Sequence, residues 1–328
     1  MFFPQSCSKN EIDQIQEDYI IKYPILNSKI VDFDTMETVW HKAFFEYLMT
    51  NPEDSSILIT SQLNTSKNEK EKTTQIMFET FNISKFIIQI QSILSLFSSG
   101  KTTGFVVDSG NDTTYFVPIY EGYKLDIKDN FCNIAGKSCS TYLNHLITQS
   151  NQKRVGNLEI LDYIKEKYCY ITLDKEQELQ KQQQNLIQAI SYDLPDGSHL
   201  KLDIQIFLAP EIMFNPKLYD NSSIFGFHQL ALNSIGQCDS DLRIQLLKHT
   251  MISGGNSLIR GFSERFHYEF SKINNYRYSQ QLNFIKSEKF SVWIGGCIMT
   301  NLAQISSDWI SRNDYDEYGP NIVQRKCF

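Results

Sequence analysis

The longest apolar stretch of this chain, residues 86–97, is interrupted by Gln89 and Gln91 and is too short to span a bilayer. The opening MFFPQSCSKNE lacks the basic region, apolar segment and cleavage site of a secretory leader. No CxxC, HxxxH or HExxH occurs, which argues against a zinc site. There is no GxSxG either, and His41 beside Trp40 has no nucleophile motif near it, so it reads as a helix-surface or core histidine. Basic residues are in the minority: 31 Lys and Arg against 38 Asp and Glu give a net charge of −7, with no basic footprint for nucleic acid. Neither a membrane nor a nucleic acid is an expected partner. The seven cysteines are odd in number and scattered, which suits reduced thiols of a cytosolic or nuclear protein and not a disulfide framework.

What is present is a chain of 328 residues, 41% apolar, long enough for two lobes. Met36, Val39, Trp40, Phe44 and Leu48 fall on one stripe of a helix over 34–49. SILIT (56–60) reads as a buried strand, 67–81 as a second helix and 86–97 as a third, stopped by Gly100. A hairpin spans 104–123 (GFVVDSGNDTTYFVPIYEGY), and a second spans 192–204 around Pro195-Asp196-Gly197. Between them the Gln-rich EQELQKQQQNL reads as an exposed helix. HTMISGGNSLIRGFSER (249–265) reads as strand, turn and helix, and FSVWIGGCIM as a strand entering Gly295-Gly296 and then a helix. This alternation predicts an α/β protein.

Three stretches could carry chemistry. In the 104–123 hairpin, Asp108 closes an apolar strand, and Ser109, Gly110, Asn111, Asp112 and Thr113 form a turn whose N–H groups can make an anion nest beside a cation's water. An ordinary tight hairpin explains the same residues. In Ser253-Gly254-Gly255-Asn256, paired glycines between a strand and a helix allow close approach of a ligand to backbone, or simply a tight connection. Lys165-Glu166 on LDYIKEKYCY can flank a nucleoside, although alternating charges usually mark a solvated helix face. LPDGS (194–198) is rejected as a phosphate turn because its carboxylate lies inside the turn.

The order of these stretches is more specific than any one of them. DSG in a hairpin, PIYEGY, KEKYCY, YDLPDG, MISGGNSLIRG, SVWIGG and the ending WISRNDYDEYGPNIVQRKCF together resemble the actin family, from about Tyr23 to Phe328. The resemblance implies an actin fold: two lobes of duplicated ribonuclease-H-like domains around a nucleotide cleft. A large lobe would comprise 1–98 plus 290–328, truncated at its N-terminus with 1–22 as a remnant of subdomain 2. A small lobe would comprise 99–289, with 135–222 as subdomain 4. It further implies ATP or ADP with Mg²⁺ or Ca²⁺. Asp108 would organise the metal's water, and residues 110–113 the phosphates. Gly136 and Glu166 would lie at the ribose, and Lys165 and Lys289 beside the adenine. Gly255, Leu258 and Ile259 would cover the base, and Gln91 would orient the attacking water.

The departures from the family pattern are informative. DSGDGVTH has become DSGNDTTY, which places Asn111, Asp112 and Tyr115 where actins carry aspartate, glycine and histidine. Asn27 replaces another histidine, and Ile259 an aromatic residue. No second phosphate hairpin occurs in the sequence, so either the natural N-terminus extends beyond it, or a partner or a rearranged N-terminal segment fills the gap. KLYDNSSIFG has a polar tip at Asp220-Asn221-Ser222-Ser223, against self-polymerisation. The cleft that receives partner helices keeps Phe97, Gly100, Tyr123, Met299 and Leu302, with Asp308 at its rim. The expected function is a divergent, poorly polymerising actin-like structural subunit of a cytoskeletal assembly, with a ciliary axonemal or dynein-associated complex as one host and at most a weak ATPase. The alternatives are a conventional ATP-binding, filament-forming actin whose N-terminal segment is missing from this sequence, and a nuclear actin-like subunit of a chromatin-remodelling complex.

Overall fold

The computed structural model describes residues 22–128, 131–151, 154–184, 186, 188–219, 225–273, 284–286, 290–302 and 307–327. A short hairpin, β1 (Ile25–Leu26) and β2 (Lys29–Ile30), turns through Asn27 and Ser28, both at positive φ (50° and 62°). Helix α1 (Phe33–Lys42) starts where the Asp32 side chain accepts from the Thr35 N–H. It passes into a π-helical turn, Ala43–Tyr47. That turn breaks the expected stripe: Trp40 and Phe44 are buried, but Leu48 is 64% exposed.

Strand β3 (Ser56–Ser61), helix α2 (Lys67–Glu79), strand β4 (Lys85–Ile90) and helix α3 (Gln91–Ser98) follow. The helix expected over 86–97 is therefore a strand and a helix. Phe86, Ile87, Ile88 and Ile90 are all buried because β4 is central, parallel to β3 and paired on its other edge. A strand covered on both faces reads as a continuous apolar run, which periodicity alone cannot separate from helix.

The central sheet begins with the quoted hairpin, β5 (Gly104–Ser109) and β6 (Thr114–Tyr120), extended by β7 (Tyr123–Lys124) and β8 (Phe131–Cys132). Helices α4 (Gly136–Asn151), α5 (Leu158–Tyr168) and α6 (Lys175–Gln183) come next, and α6 buries no residue, as its Gln-rich sequence predicts. A separate hairpin pairs β9 (Ile190–Asp193) with β10 (His199–Leu202) in antiparallel register. Helices α7 (Gln205–Glu211), α8 (Phe227–Gln237) and α9 (Ser240–Leu247) lead to β11 (Thr250–Ser253), which lies parallel to β5. A 3₁₀ turn, Gly255–Leu258, then precedes α10 (Phe262–Ile273). Buried Arg265 of α10 donates to both oxygens of Glu211, at 3.1 and 2.9 Å.

The last elements are β12 (Phe284–Lys286), α11 (Ser291–Thr300), β13 (Ile310–Ser311), α12 (Arg312–Tyr318) and α13 (Val323–Lys326). β12 pairs with β11, and β13 with β4. The strand expected at FSVWIGGCIM is instead helix α11, running through both glycines. The physical reason is close helix packing: a Cβ on Gly295 would sit 1.7 Å from the Leu94 carbonyl oxygen of α3.

Two cores lie on opposite faces of the central sheet. Phe105, Val107 and Phe116 face one core; Val106, Tyr115, Val117 and Met251 face the other, beside Phe86, Leu94 and Met299. Alternation along β5 and β6 thus feeds both cores from the same strands. Six described cysteines are free; Cys297 is exposed and the other five are buried.

Candidate functional site

The site is organised by strand register. β5 pairs with β6 so that Asp108 faces Tyr115 and Ser109 faces Thr114, leaving residues 110–113 as the turn. The Gly110 N–H donates to the Thr113 carbonyl at 3.2 Å. On the other edge, β11 sets Ser253 beside Asp108. The Ser253 hydroxyl donates to one oxygen of Asp108 at 3.0 Å, and the Ser92 hydroxyl to the other at 3.2 Å. Burial raises the pKa of Asp108, and the two hydroxyls oppose that rise.

Helix α4 starts against the turn. The Gly136 N–H donates to the Gly110 carbonyl at 3.1 Å and the Lys137 N–H to the Asn111 carbonyl at 2.7 Å, so these first N–H groups serve the protein itself. Lys165, expected on a solvated face, is instead buried. Its ammonium donates to the Gly136 carbonyl (3.1 Å), the Ser140 hydroxyl (2.9 Å) and the Asp162 carboxylate (2.7 Å). All three donors are used, so Lys165 supports the wall of the site. Glu166, the next residue, is exposed.

Asn256, the last residue of the Ser253-Gly254-Gly255-Asn256 candidate, has a role that the sequence reading did not give it. This buried side chain donates to the Ser109 hydroxyl at 2.9 Å and to the Gly110 carbonyl at 2.7 Å, locking the turn to the segment after β11. The available signal was an amide directly after paired glycines. Those two glycines have different duties. Gly254 has φ of +86°, and a Cβ there would meet the Ser109 carbonyl oxygen at 2.2 Å, so it allows backbone to pack on backbone. A Cβ on Gly255 would meet nothing within 4 Å.

These residues enclose a cavity of about 400 Å³ lined by Gly110, Asn111, Gly136, Lys165, Glu166, Gly255, Asn256, Leu258 and Ile259. All of these but Asn256, eight residues, are ones to which the sequence reading gave a nucleotide-binding role, and the fold brings them together. Asp108, Ser109 and Gly254 stand behind the wall. Asp112 and Thr113 line a neighbouring cavity of about 490 Å³. The Asp112 carboxylate accepts from the Ser28 N–H at 3.2 Å and the Asn111 amide at 3.3 Å, so the extra charge is directed toward β1–β2. Gln91 lines a third cavity, of about 250 Å³, where its carbonyl oxygen accepts from Gln62 at 3.0 Å. Buried Tyr115 donates its hydroxyl to Asn64 at 2.6 Å. Lys289 and the 220–223 tip lie outside the described residues. Of the partner-cleft residues, Phe97 and Met299 are buried, while Tyr123 and Leu302 are exposed at 60% and 38%. Gly100 has φ of +72° at the end of α3.

The residues present fit a nucleoside. A Cβ on Gly136 would stand 3.1 Å from Asn256 Oδ1 and 3.3 Å from Lys165 Nζ, so that wall is already filled to contact, whereas Gly255 opens onto free space. Leu258 and Ile259 offer apolar surface, and Glu166 offers a carboxylate at the rim. A divalent cation fits less well. Among the described residues no three His, Cys, Asp or Glu side chains cluster. Asp108 is buried and lines neither cavity, its two oxygens accepting from Ser253 and Ser92.

No described helix is long and apolar enough to cross a membrane. The family model for Actin matches residues 6–328, nearly the whole chain. Members of that family generally bind nucleotide with a divalent cation and belong to the cytoskeleton. Its mixed α/β architecture agrees with that match, and the chain belongs to the actin family.

Proposed function

We propose that this chain is a structural subunit of a cytoskeletal assembly that holds an adenine nucleotide and hydrolyses it poorly. The observation that carries this reading is Asp108. A carboxylate that organises a metal's water must reach the space in which that water lies. Here Asp108 is buried, lines neither the 400 Å³ nor the 490 Å³ cavity, and is held by the Ser92 and Ser253 hydroxyls, which donate to its two oxygens. Gln91, which the family resemblance makes the water-orienting residue, is engaged with Gln62 in a different cavity from the one lined by Gly110 and Gly136. By contrast, the wall formed by Gly110, Gly136, Gly255, Leu258 and Ile259 offers space and apolar surface suited to a nucleoside. If bound, the metal would polarise the terminal phosphate. The chain's own part is to hold the nucleoside against Gly255 and Ile259.

The test is ATP-dependent pelleting with phosphate release on the purified full chain. The expected result is bound nucleotide, little phosphate release and no sedimenting polymer. Robust filaments with brisk release would overturn the reading in favour of a filament-forming ATPase. Proteins co-purifying with a tagged copy would separate a ciliary host from a nuclear one.

A further inference from the structure

Helix α1 and the π-helical turn after it carry an outward face that the core does not use. Trp40 and Phe44 are buried, whereas Phe45, Leu48 and Met49 are exposed, Met49 at 83%. The π turn is the cause: its wider spacing rotates Leu48 out of the buried stripe, and such turns are frequent at functional sites. Met49 has φ of 48°, a backbone state unfavourable for a long side chain. The same face has a polar end. Asp34, Glu37, Thr38 and His41 of α1 line a cavity of about 270 Å³ together with Thr80 and Phe81, which follow α2. Neither carboxylate has an ion-pair partner among the described residues. The His41 ring joins the two ends, its centroid 4.6 Å from that of Phe45. Residues 33–49 hold three carboxylates (Asp34, Glu37, Glu46) against one ammonium (Lys42), a net charge of −2 (1 − 3) with His41 neutral. An acidic first turn suits the helix dipole, which accounts for Asp34. It accounts neither for Glu37 in the cavity nor for three neighbouring apolar side chains in water.

We propose that this face docks a basic amphipathic helix of a partner protein, running antiparallel to α1. The partner's apolar residues cover Phe45, Leu48 and Met49, and its Lys or Arg side chains reach the cavity at Asp34 and Glu37, their stems along Phe81. Cations sit best at a helix C-terminus, so the antiparallel direction sets the partner's basic end over the two carboxylates. From residue 34 to residue 49 the face runs about 22 Å, the length of roughly four helical turns. It shares no residue with the 400 Å³ and 490 Å³ cavities. Nor does it include Phe97, Tyr123, Met299 or Leu302 of the partner cleft. The inference names a contact for the assembly proposed above and rests on that reading for the source of the helix.

The test is fluorescence anisotropy on the full chain with a labelled synthetic helix of about 18 residues. The peptide carries Leu and Phe on one face of its first half and Lys in its last two turns; a second peptide has Glu in place of Lys. The Glu peptide should bind at least about 10-fold more weakly. Asp34→Asn with Glu37→Gln should weaken the Lys peptide by about 5- to 10-fold, an effect that fades at high salt. Leu48→Ser with Met49→Ser should weaken it by about the same factor at any salt. These four side chains are exposed or half-buried, so both double variants should keep the wild-type melting temperature. Loss through both pairs supports the docking face. Loss through only one pair would overturn the amphipathic helix, and binding that is absent or indifferent to both pairs would overturn the face itself. Sedimentation velocity addresses the other occupant: a dimer of this chain dissolved by Leu48→Ser would assign the face to a second copy and overturn the partner helix. None of these outcomes touches nucleotide content or phosphate release, so the function proposed above is tested separately.

Discussion

The ammonium of Lys165 stands 3.1 Å from the carbonyl oxygen of Gly136 and donates to it, tying helix α5 to the first turn of helix α4 from beneath the cavity. The same ammonium bonds Ser140 and Asp162, so a charge buried to 5% exposure has three acceptors. Removing it takes the charged donor from the Gly136 carbonyl and the Asp162 carboxylate and leaves only the Ser140 hydroxyl to donate to them. Lys165→Met should therefore cost about 2–3 kcal/mol, tempered by the partial exposure of Asp162. Urea unfolding would register this as a lower midpoint at unchanged slope.

The paired glycines should respond in opposite ways. Gly254→Ala places a methyl group into the Ser109 carbonyl at a positive φ and should cost more than about 3 kcal/mol. Gly255→Ala meets nothing and should stay within about 0.5 kcal/mol of wild type while narrowing the cavity. Thermal melts of both variants, with adenosine titration of the second, check the pair. Equal destabilisation would contradict the division of duties.

Asn256→Ala removes two hydrogen bonds that hold the 110–113 turn. The expected loss is about 1–3 kcal/mol, with weaker adenosine binding because the turn forms one wall of the cavity. Asn256→Asp should also fail to restore the site, since a carboxylate would face the Gly110 carbonyl without a proton to donate. Restoration of binding by aspartate would show that the amide's donors are not needed.

The raised pKa of Asp108 has a definite sign in stability. Its folded pKa exceeds the unfolded value of about 3.9, so its contribution is fully present below about pH 3.9 and is lost as pH rises through the folded pKa. The stability of Asp108→Asn relative to wild type should therefore improve from pH 4 upward. Denaturation curves across that range test it, and a flat difference would mean that Asp108 is ionised in the folded protein.

Much of this architecture was legible before any coordinates. β5 and β6 were marked by apolar residues either side of a Gly-Asn-Asp turn, and α6 by its lack of apolar residues. β4 was not, because burial of both faces erases the period of two. α11 was misread because Gly295-Gly296 suggests a turn, and only the Leu94 backbone nearby explains a glycine inside a helix. At the site, backbone duties showed through residue type, as with Gly254-Gly255. Lys165 and Asn256 act through partners distant in sequence, Gly136 and Ser109, which no local spacing reveals.

On the proposed function, the cavity at Gly110, Gly136 and Gly255 holds an adenine nucleotide which Asp108 and Gln91 do little to hydrolyse. The most direct measurement loads the full chain with ATP, removes free nucleotide, incubates and denatures it, and identifies the released species by mass spectrometry. About one ATP per chain, largely unconverted, is the predicted result. Release of ADP throughout, or of no adenine nucleotide at all, would contradict it.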